Sequence, residues 1–184
     1  MDFDFTKIEP LIGDPKHVWQ LSYDEFNCVG IVSDAFSVDR QDGDLVFEAA
    51  ADEHDHAPIW RDGSYEIFEL VEFEPIPTMV LSKDGAAIGF NMCGQLWIDE
   101  DYRGRGLSTP LILAVAARLG GPASPSELLG FSFAGAAAHE SAWRAVVLWA
   151  LEQGMCVPPA VVEDYLGRGG RPKRAQAEAG DAPA

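Results

Sequence analysis

A two-residue alternation in the middle of the chain predicts the first strand of a β-sheet. Between residues 65 and 74, apolar and mostly acidic positions take turns, and β-branched and aromatic side chains are well represented. This composition and period are typical of a strand. Pro75 and Pro77 follow, and a proline cannot donate to a strand ladder. The alternation therefore predicts a strand that ends before Pro75.

Three shorter runs after these prolines predict more antiparallel pairing. The runs at 78–82 and 86–92 flank Lys83-Asp84-Gly85, and Asp-Gly is a strong signal for a hairpin turn. A further short strand is predicted over 96–99. The first two of these strands are therefore predicted to form a hairpin.

Two apolar stretches downstream predict long helices. The first begins at residues 107–109, because Pro110 must lie in its first turn, and a glycine at 120 ends it. The second covers residues 136–153 and ends at Gly154. Both helices are apolar enough to lie against a sheet.

The remaining segments carry weaker signals. Ser22 and Glu25 form a capping box, which predicts a helix over 23–36. Three shorter elements are predicted: a strand over 45–49, a strand over 128–133 and a helix over 160–166. Residues 167–184 contain few apolar side chains and are predicted to be disordered, so one domain is expected over 1–166.

Charge and composition narrow the class of protein. The 184 residues carry a net charge of −17, and acids outnumber bases by 23 to 5 within residues 1–102. Such a field repels nucleic acid and attracts cations, although the acids could simply keep the surface soluble. Three dispersed cysteines indicate no disulfide framework. The absence of a long apolar run argues against a membrane protein, so a cytoplasmic location is expected.

The junction between the last predicted strand and the first long helix carries the main functional signal. The turn there reads Arg103-Gly104-Arg105-Gly106. The N–H groups of residues 104–109 are expected to lack partners, because the first N–H groups of a helix have no intrahelical acceptor. Unpaired N–H groups and the helix dipole together favour a bound phosphate. A turn with solvated arginines is the alternative.

The segment LWIDEDYRGRGLSTPLI at 96–112 resembles the signature of the GNAT superfamily of acyl-CoA-dependent N-acyltransferases. In that signature, Arg or Gln is followed by x-x-G-x-G/A at a strand-to-helix junction. Ser108 stands where the family has Gly or Ala. The hairpin VLSKDGAAIGF and the helix end ALEQGM also resemble the family, and the resemblance covers residues 78–155.

The resemblance implies a fold, a cofactor and a set of contacts. The fold would be α+β, with a mixed, mostly antiparallel central sheet flanked by helices. Acetyl-CoA would be the acyl donor, and no metal is implied. Pantetheine would pair with the strand at Ile98, and the pyrophosphate would lie on the N–H groups of residues 105–108. The full set of expected cofactor contacts is Ile98, Arg103, Gly104, Arg105, Gly106, Leu107 and Ser108.

The chain also departs from the family pattern. The tyrosine that many members place four residues before the glycine after the second helix is replaced by Ala150. The two strands that commonly follow that helix are missing as well. His139 and Ser141, near the start of the helix, are more easily explained as capping or surface residues than as catalytic ones.

A carboxylate near the predicted pantetheine strand is expected to act as the general base. Asp99 is the first candidate, because it directly follows that strand, and Glu72 is the second. Other acids at Glu69, Glu74, Glu100 and Asp101 lie on the same segments, and each of the six taken alone is more easily explained as a solvated surface group. The pair His54 and His56 is too isolated to predict a metal site.

These observations predict a cytoplasmic N-acetyltransferase that acts on a primary amine of a cationic small molecule or protein. The alternative is a catalytically silent module of the same fold that binds acyl-CoA or a protein partner. A third interpretation, an acidic interaction protein without CoA, predicts that the turn stays empty. Neither nucleic acid nor a membrane is expected as a partner. The acceptor and the oligomeric state stay open, with a homodimer among the alternatives.

Overall fold

An antiparallel sheet with its strands in chain order forms the centre of the structure. The computed structural model describes residues 8, 10, 16–27, 41–52, 57–73, 77–92, 94–122 and 131–170. Its strands are β1 (Trp60–Asp62), β2 (Tyr65–Glu69), β3 (Thr78–Lys83), β4 (Ala86–Met92) and β5 (Gln95–Ile98). All four neighbouring pairs are antiparallel. The predicted α+β class with a mostly antiparallel sheet is confirmed.

The predicted hairpin between β3 and β4 is confirmed, and its turn shows why the sequence specifies it. Asp84 and Gly85 have φ angles of +51° and +83°. Positive φ at both central residues matches the twist of the flanking strands, and Asp-Gly accepts it readily. A second two-residue turn, Gly63-Ser64, joins β1 to β2, and Gly63 has a φ angle of +59°. The sequence did not predict this hairpin, because β1 is only three residues long.

Helices cover both faces of the sheet. They are α1 (Tyr23–Phe26), α2 (Asp44–Asp52), α3 (Ser108–Leu119), α4 (Phe133–Glu152) and α5 (Pro159–Gly167). The α3 and α4 helices bury one face in the main core, together with Ile67 and Leu81. The α2 helix covers the other face, where Val46 packs with Val80 and Phe90. Among the described residues, no helix is long and apolar enough to cross a membrane.

Both ends of α3 are attached to the sheet. Its N-terminal end is tied to the sheet through the turn that follows β5, and Pro110 lies in its first turn as predicted. At its C-terminal end, Gly120 takes the left-handed conformation (φ +74°), and the preceding Arg118 pairs with Glu69 of β2 at 2.8 Å. Both side chains of this pair are mostly buried, so the ion pair is only weakly screened by solvent.

The segment before the sheet is held by α4 and α5. The Trp143 indole donates a hydrogen bond to the Leu21 carbonyl oxygen at 2.9 Å. The Tyr23 backbone N–H donates to the Asp164 carboxylate at 2.9 Å, and the Arg168 guanidinium lies 4.0 Å from the Tyr23 ring centre. The capping box that opens α1 is confirmed. The contacts of Trp143, Asp164 and Arg168 join residues more than 100 positions apart in the chain.

Two predicted strands need correction. Residues 45–49 belong to α2, because Val46, Ala49 and Ala50 follow a helical spacing toward the sheet and Leu45 is 71% exposed. The strand predicted over 65–74 ends at Glu69 and is followed by a 3₁₀ helix over Val71–Phe73. In a continuing strand, Val71 would share the buried face of Ile67, whereas its side chain is 56% exposed.

Two predicted helix boundaries were also wrong. The α1 helix ends at Phe26, and residues 28–36 of the predicted helix lie outside the described part of the chain. The α4 helix begins at Phe133, three residues before the prediction, because the Ser132 hydroxyl accepts the Gly135 N–H at 3.1 Å and caps it. Of the strand predicted over 128–133, only an isolated bridge at Phe131 is described as β-structure.

Several other predictions agree with the structure or stay open. The short last strand and the start and end of α3 are confirmed. The final helix is confirmed and runs one residue longer at each end than predicted. Within the predicted tail, residues 167–170 are described as the end of α5 and the turn after it, and residues 171–184 lie outside the described residues.

Candidate functional site

The turn between β5 and α3 is built from a 3₁₀ helix and two glycines. The 3₁₀ helix covers Glu100–Tyr102. Gly104 and Gly106 then adopt positive φ angles of +73° and +77°, which residues other than glycine rarely adopt. Apart from their chain neighbours, no atom lies within 4 Å of the place where a β-carbon would sit at either glycine. The buried Leu107 side chain then anchors the turn in the core.

The turn presents a row of backbone N–H groups. The N–H of Arg103 donates to the Glu100 carbonyl at 3.3 Å, and the N–H of Thr109 donates to the Gly106 carbonyl at 3.2 Å. Between them, the N–H groups of residues 104–108 have no protein acceptor among the described residues. The prediction that residues 104–109 are unpaired is therefore wrong at Thr109, which closes the first turn of α3.

The two arginines of the turn are held by different contacts. The Nε of Arg103 donates to the Ile98 carbonyl at 2.7 Å. The guanidinium of Arg105 donates to the Asp101 carbonyl at 2.8 Å and to the Tyr65 hydroxyl at 3.4 Å. Each guanidinium has five N–H donors, so both retain donors for a ligand. The contact with Tyr65 was not predictable from the sequence, because nothing local connects it to a residue 40 positions later.

The backbone N–H and C=O of Ile98 point away from the neighbouring strand, β4. Ile98 pairs with Gly89 on β4, and the N–H of the next residue, Asp99, donates to the Ile88 carbonyl at 2.9 Å. In an antiparallel ladder this pattern makes Ile98 and Gly89 a non-hydrogen-bonded pair, so the N–H and C=O of Ile98 point away from β4. The carbonyl is bound by Arg103. Its N–H is directed to the outer side of β5.

A β-bulge in β4 lies opposite this point. Leu81 pairs with Gly89 and Ser82 pairs with Ala87, which leaves Ile88 as the extra residue. A bulge bends its strand and increases the local twist. The bulged residue, Ile88, lies beside the end of β5 that leads into the glycine turn.

The candidate bases occupy different environments. Oδ1 of Asp99 accepts the Asp101 backbone N–H at 3.0 Å and caps the 3₁₀ helix, which leaves its second oxygen available. Glu69 is committed to Arg118. The carboxylate of Glu100 is 86% exposed and lies 3.8 Å from the Arg103 guanidinium. Of Glu72, only the backbone in the 3₁₀ helix after β2 is described, so its side chain is not placed relative to Asp99.

The position that commonly holds a tyrosine in the GNAT pattern lies in the core here. Ala150 is fully buried in α4, and its carbonyl accepts the N–H of Met155 at 2.9 Å as the helix ends. The neighbouring Trp149 packs edge-on against Trp19, with 5.7 Å between the ring centres. This position offers no proton donor for a leaving thiolate.

His139 is a core residue rather than a capping or surface residue. Its side chain is fully buried, stacks on Phe131 with 4.0 Å between the ring centres, and places Nδ1 2.8 Å from the Gly135 carbonyl. Nε2 has no partner among the described residues. Burial lowers the pKa of His139 from 6.5 to about 4. Ser141, two residues later, is exposed.

The described residues contain no group of three His, Cys, Asp or Glu side chains that could hold a metal ion. His54 and His56 lie outside the described part of the chain.

No protein-family model, curated protein or solved structure matches this chain. The assignment to the GNAT superfamily therefore stays a prediction that rests on residues 78–155.

The buried imidazole of His139 predicts a stability loss in mild acid. Because its folded pKa is depressed, the unfolded chain binds the proton first, so stability falls as the pH drops from about 6.5 toward 4. A pKa difference of about 2.5 units corresponds to a loss on the order of 3 kcal/mol. His139→Leu has a similar volume and no titratable group. Urea unfolding of both proteins at several pH values should show a shallower decline for the variant, and parallel declines would contradict this role.

Proposed function

We propose that this protein binds acyl-CoA at the β5–α3 turn and transfers the acyl group, most readily acetyl, to a primary amine. The observation that carries the proposal is the row of five unpaired N–H groups at residues 104–108, directly before an apolar helix. These groups and the N-terminal end of the α3 dipole favour an anion of two linked phosphates. The open space beside both glycines supports close approach of such a group.

The pantetheine arm would run along the outer side of β5. The outward N–H of Ile98 is suited to an amide carbonyl of pantetheine, which would add to the sheet as an extra strand. The Ile98 carbonyl already accepts the Arg103 guanidinium. Arg103 therefore competes with the arm for that oxygen, and its displacement would release the guanidinium toward the phosphates.

The chemistry requires little beyond positioning and proton removal. The acceptor nitrogen attacks the thioester carbonyl, a C–N bond forms, the C–S bond breaks and the thiol of CoA leaves. The excess proton on nitrogen would pass to Asp99, whose second carboxylate oxygen is not used by the cap. Because the position of the usual tyrosine is a buried alanine, water would protonate the thiolate. The acidic first half of the chain favours a cationic acceptor.

A second candidate function, acyl-CoA binding without turnover, is favoured by two observations. No proton donor is available at Ala150, and the Asp99 carboxylate has a structural partner in the Asp101 N–H. Binding at the turn is common to both candidates, so the turn itself does not discriminate between them.

One experiment separates the alternatives. Thermal unfolding is followed with and without acetyl-CoA, and thiol release from acetyl-CoA is measured against a panel of amines that includes polyamines, amino sugars and lysine peptides. Stabilisation together with amine-dependent thiol release is the expected result. Stabilisation without release on any amine supports the silent binding module, and the absence of stabilisation removes the proposal.

Gly106→Asp should weaken CoA binding about a hundredfold, because it places a carboxylate against the bound phosphates. The backbone has φ +77° there, so the fold should lose only about 1 kcal/mol. Calorimetric titration with CoA measures the affinity. Gly106→Asn is the matched control, since it keeps the shape and removes the charge, and it should retain much more of the affinity. An unchanged dissociation constant for Gly106→Asp would put the site elsewhere.

Asp99→Asn should lower kcat about a hundredfold while leaving the affinity for acetyl-CoA and the melting temperature unchanged. Asparagine caps a helix as well as aspartate does, so the contact with the Asp101 N–H is preserved. Steady-state kinetics with the best amine of the panel gives kcat, and thermal unfolding checks the cap. An unaltered kcat would remove Asp99 as the base.

A further inference from the structure

Two cations beside the turn lack the carboxylate partner that the other described cations have. The described residues include eight Lys and Arg. Six of them form an ion pair with Asp or Glu: Lys16, Arg61, Arg103, Arg118, Arg144 and Arg168. Within the described part of the chain, Lys83 and Arg105 form none. In a protein with 30 acids and 13 bases, unpaired cations are unexpected.

These two cations converge on the same aromatic ring. The Lys83 ammonium and the Arg105 guanidinium each lie 5.3 Å from the centre of the Tyr102 ring. Tyr65 on β2 pairs with Lys83 on β3. Its hydroxyl accepts a hydrogen bond from the Arg105 guanidinium at 3.4 Å. Residues from two strands and the glycine turn thus form a cationic cluster of Lys83, Arg105, Tyr102 and Tyr65.

The cluster has a positive charge that would attract an anion from outside the chain. Each charge is held against the Tyr102 ring by a cation–π contact, and neither is neutralised by a carboxylate of the described residues. A phosphomonoester carries a charge of about −1.5 to −2 at neutral pH and three acceptor oxygens. Lysine binds phosphate as a point charge, while the arginine fork adds directed hydrogen bonds.

We infer that the cationic cluster binds a second phosphate of the acyl-CoA donor, the phosphomonoester on its ribose, separately from the two linked phosphates on the N–H row. The inference rests on the proposed function, since it assumes that the donor lies on the β5–α3 turn. Lys83 is the residue that separates the phosphomonoester from the two linked phosphates, because Arg105 also belongs to the turn that would hold the linked phosphates. The ligand class that the cluster recognises is therefore a 3′-phosphorylated nucleotide rather than a plain nucleoside diphosphate.

The test compares CoA with 3′-dephospho-CoA on the parent protein and on Lys83→Met, which keeps most of the apolar stem. Calorimetric titration should show the parent binding CoA about tenfold more tightly than dephospho-CoA, as expected for one charge-assisted contact. Lys83→Met should lose most of this preference, because only Arg105 of the two cations remains, and its affinity for dephospho-CoA should stay at the parent's value. Lys16→Met is the matched control, because it removes an equal charge from an ammonium that pairs with Glu25. It should keep the parent's preference.

Each remaining outcome overturns the inference in a distinguishable way. Equal affinity of the parent for the two ligands, or an equal loss of both in Lys83→Met, shows that the cluster does not contact the phosphomonoester, while binding at the turn stands. A loss of preference in Lys16→Met shows a general effect of charge. If the parent binds neither ligand, the proposed function itself fails, and the inference fails with it.

Discussion

The burial of α3 against the sheet determines the rest of the structure. Nine consecutive residues of this helix, 109–117, are buried, so it is covered by the sheet, by α4 and by the segment that contains Val18 and Trp19. The chain has nine residues, 99–107, between β5 and α3 in which to reverse direction and begin that helix. A 3₁₀ turn and two glycines with positive φ achieve the reversal. As a consequence, the unpaired N–H groups of the turn and the positive end of the helix dipole are presented at one end of the sheet.

Local signals predicted this part of the chain well. Asp84-Gly85, Pro110 and Gly120 each constrain the backbone within two or three residues, and the hairpin and the bounds of α3 follow from them. The strand predicted over 45–49 was wrong because its local signal was ambiguous. A short apolar run is compatible with a strand or a helix, and only the face that it buries against the sheet decides between them. That face depends on residues far away in the sequence.

The same distinction between local signals and distant contacts applies to the candidate site. Its backbone donors were predicted from the motif, because helix geometry leaves those groups unpaired in any sequence. The side-chain partners were not predictable. Arg103 binds a strand carbonyl, Arg105 contacts a tyrosine from a different hairpin, and Asp99 serves as a cap. The acidity of the chain was visible from composition, whereas the two cations without a carboxylate became apparent only from the distances between side chains.

The attachment of the segment before the sheet to α4 and α5 has a consequence for how the chain can be divided. The motif-bearing residues 78–155 contain the hairpin, the turn and both long helices, yet Trp143 donates to the Leu21 carbonyl and packs against Tyr23 and Tyr165. These partners come from outside that range on both sides. A fragment limited to the motif would expose an indole and leave its N–H without this acceptor. The motif is therefore not an autonomous folding unit, and α4 reaches its final packing only when both ends of the chain have come together on it.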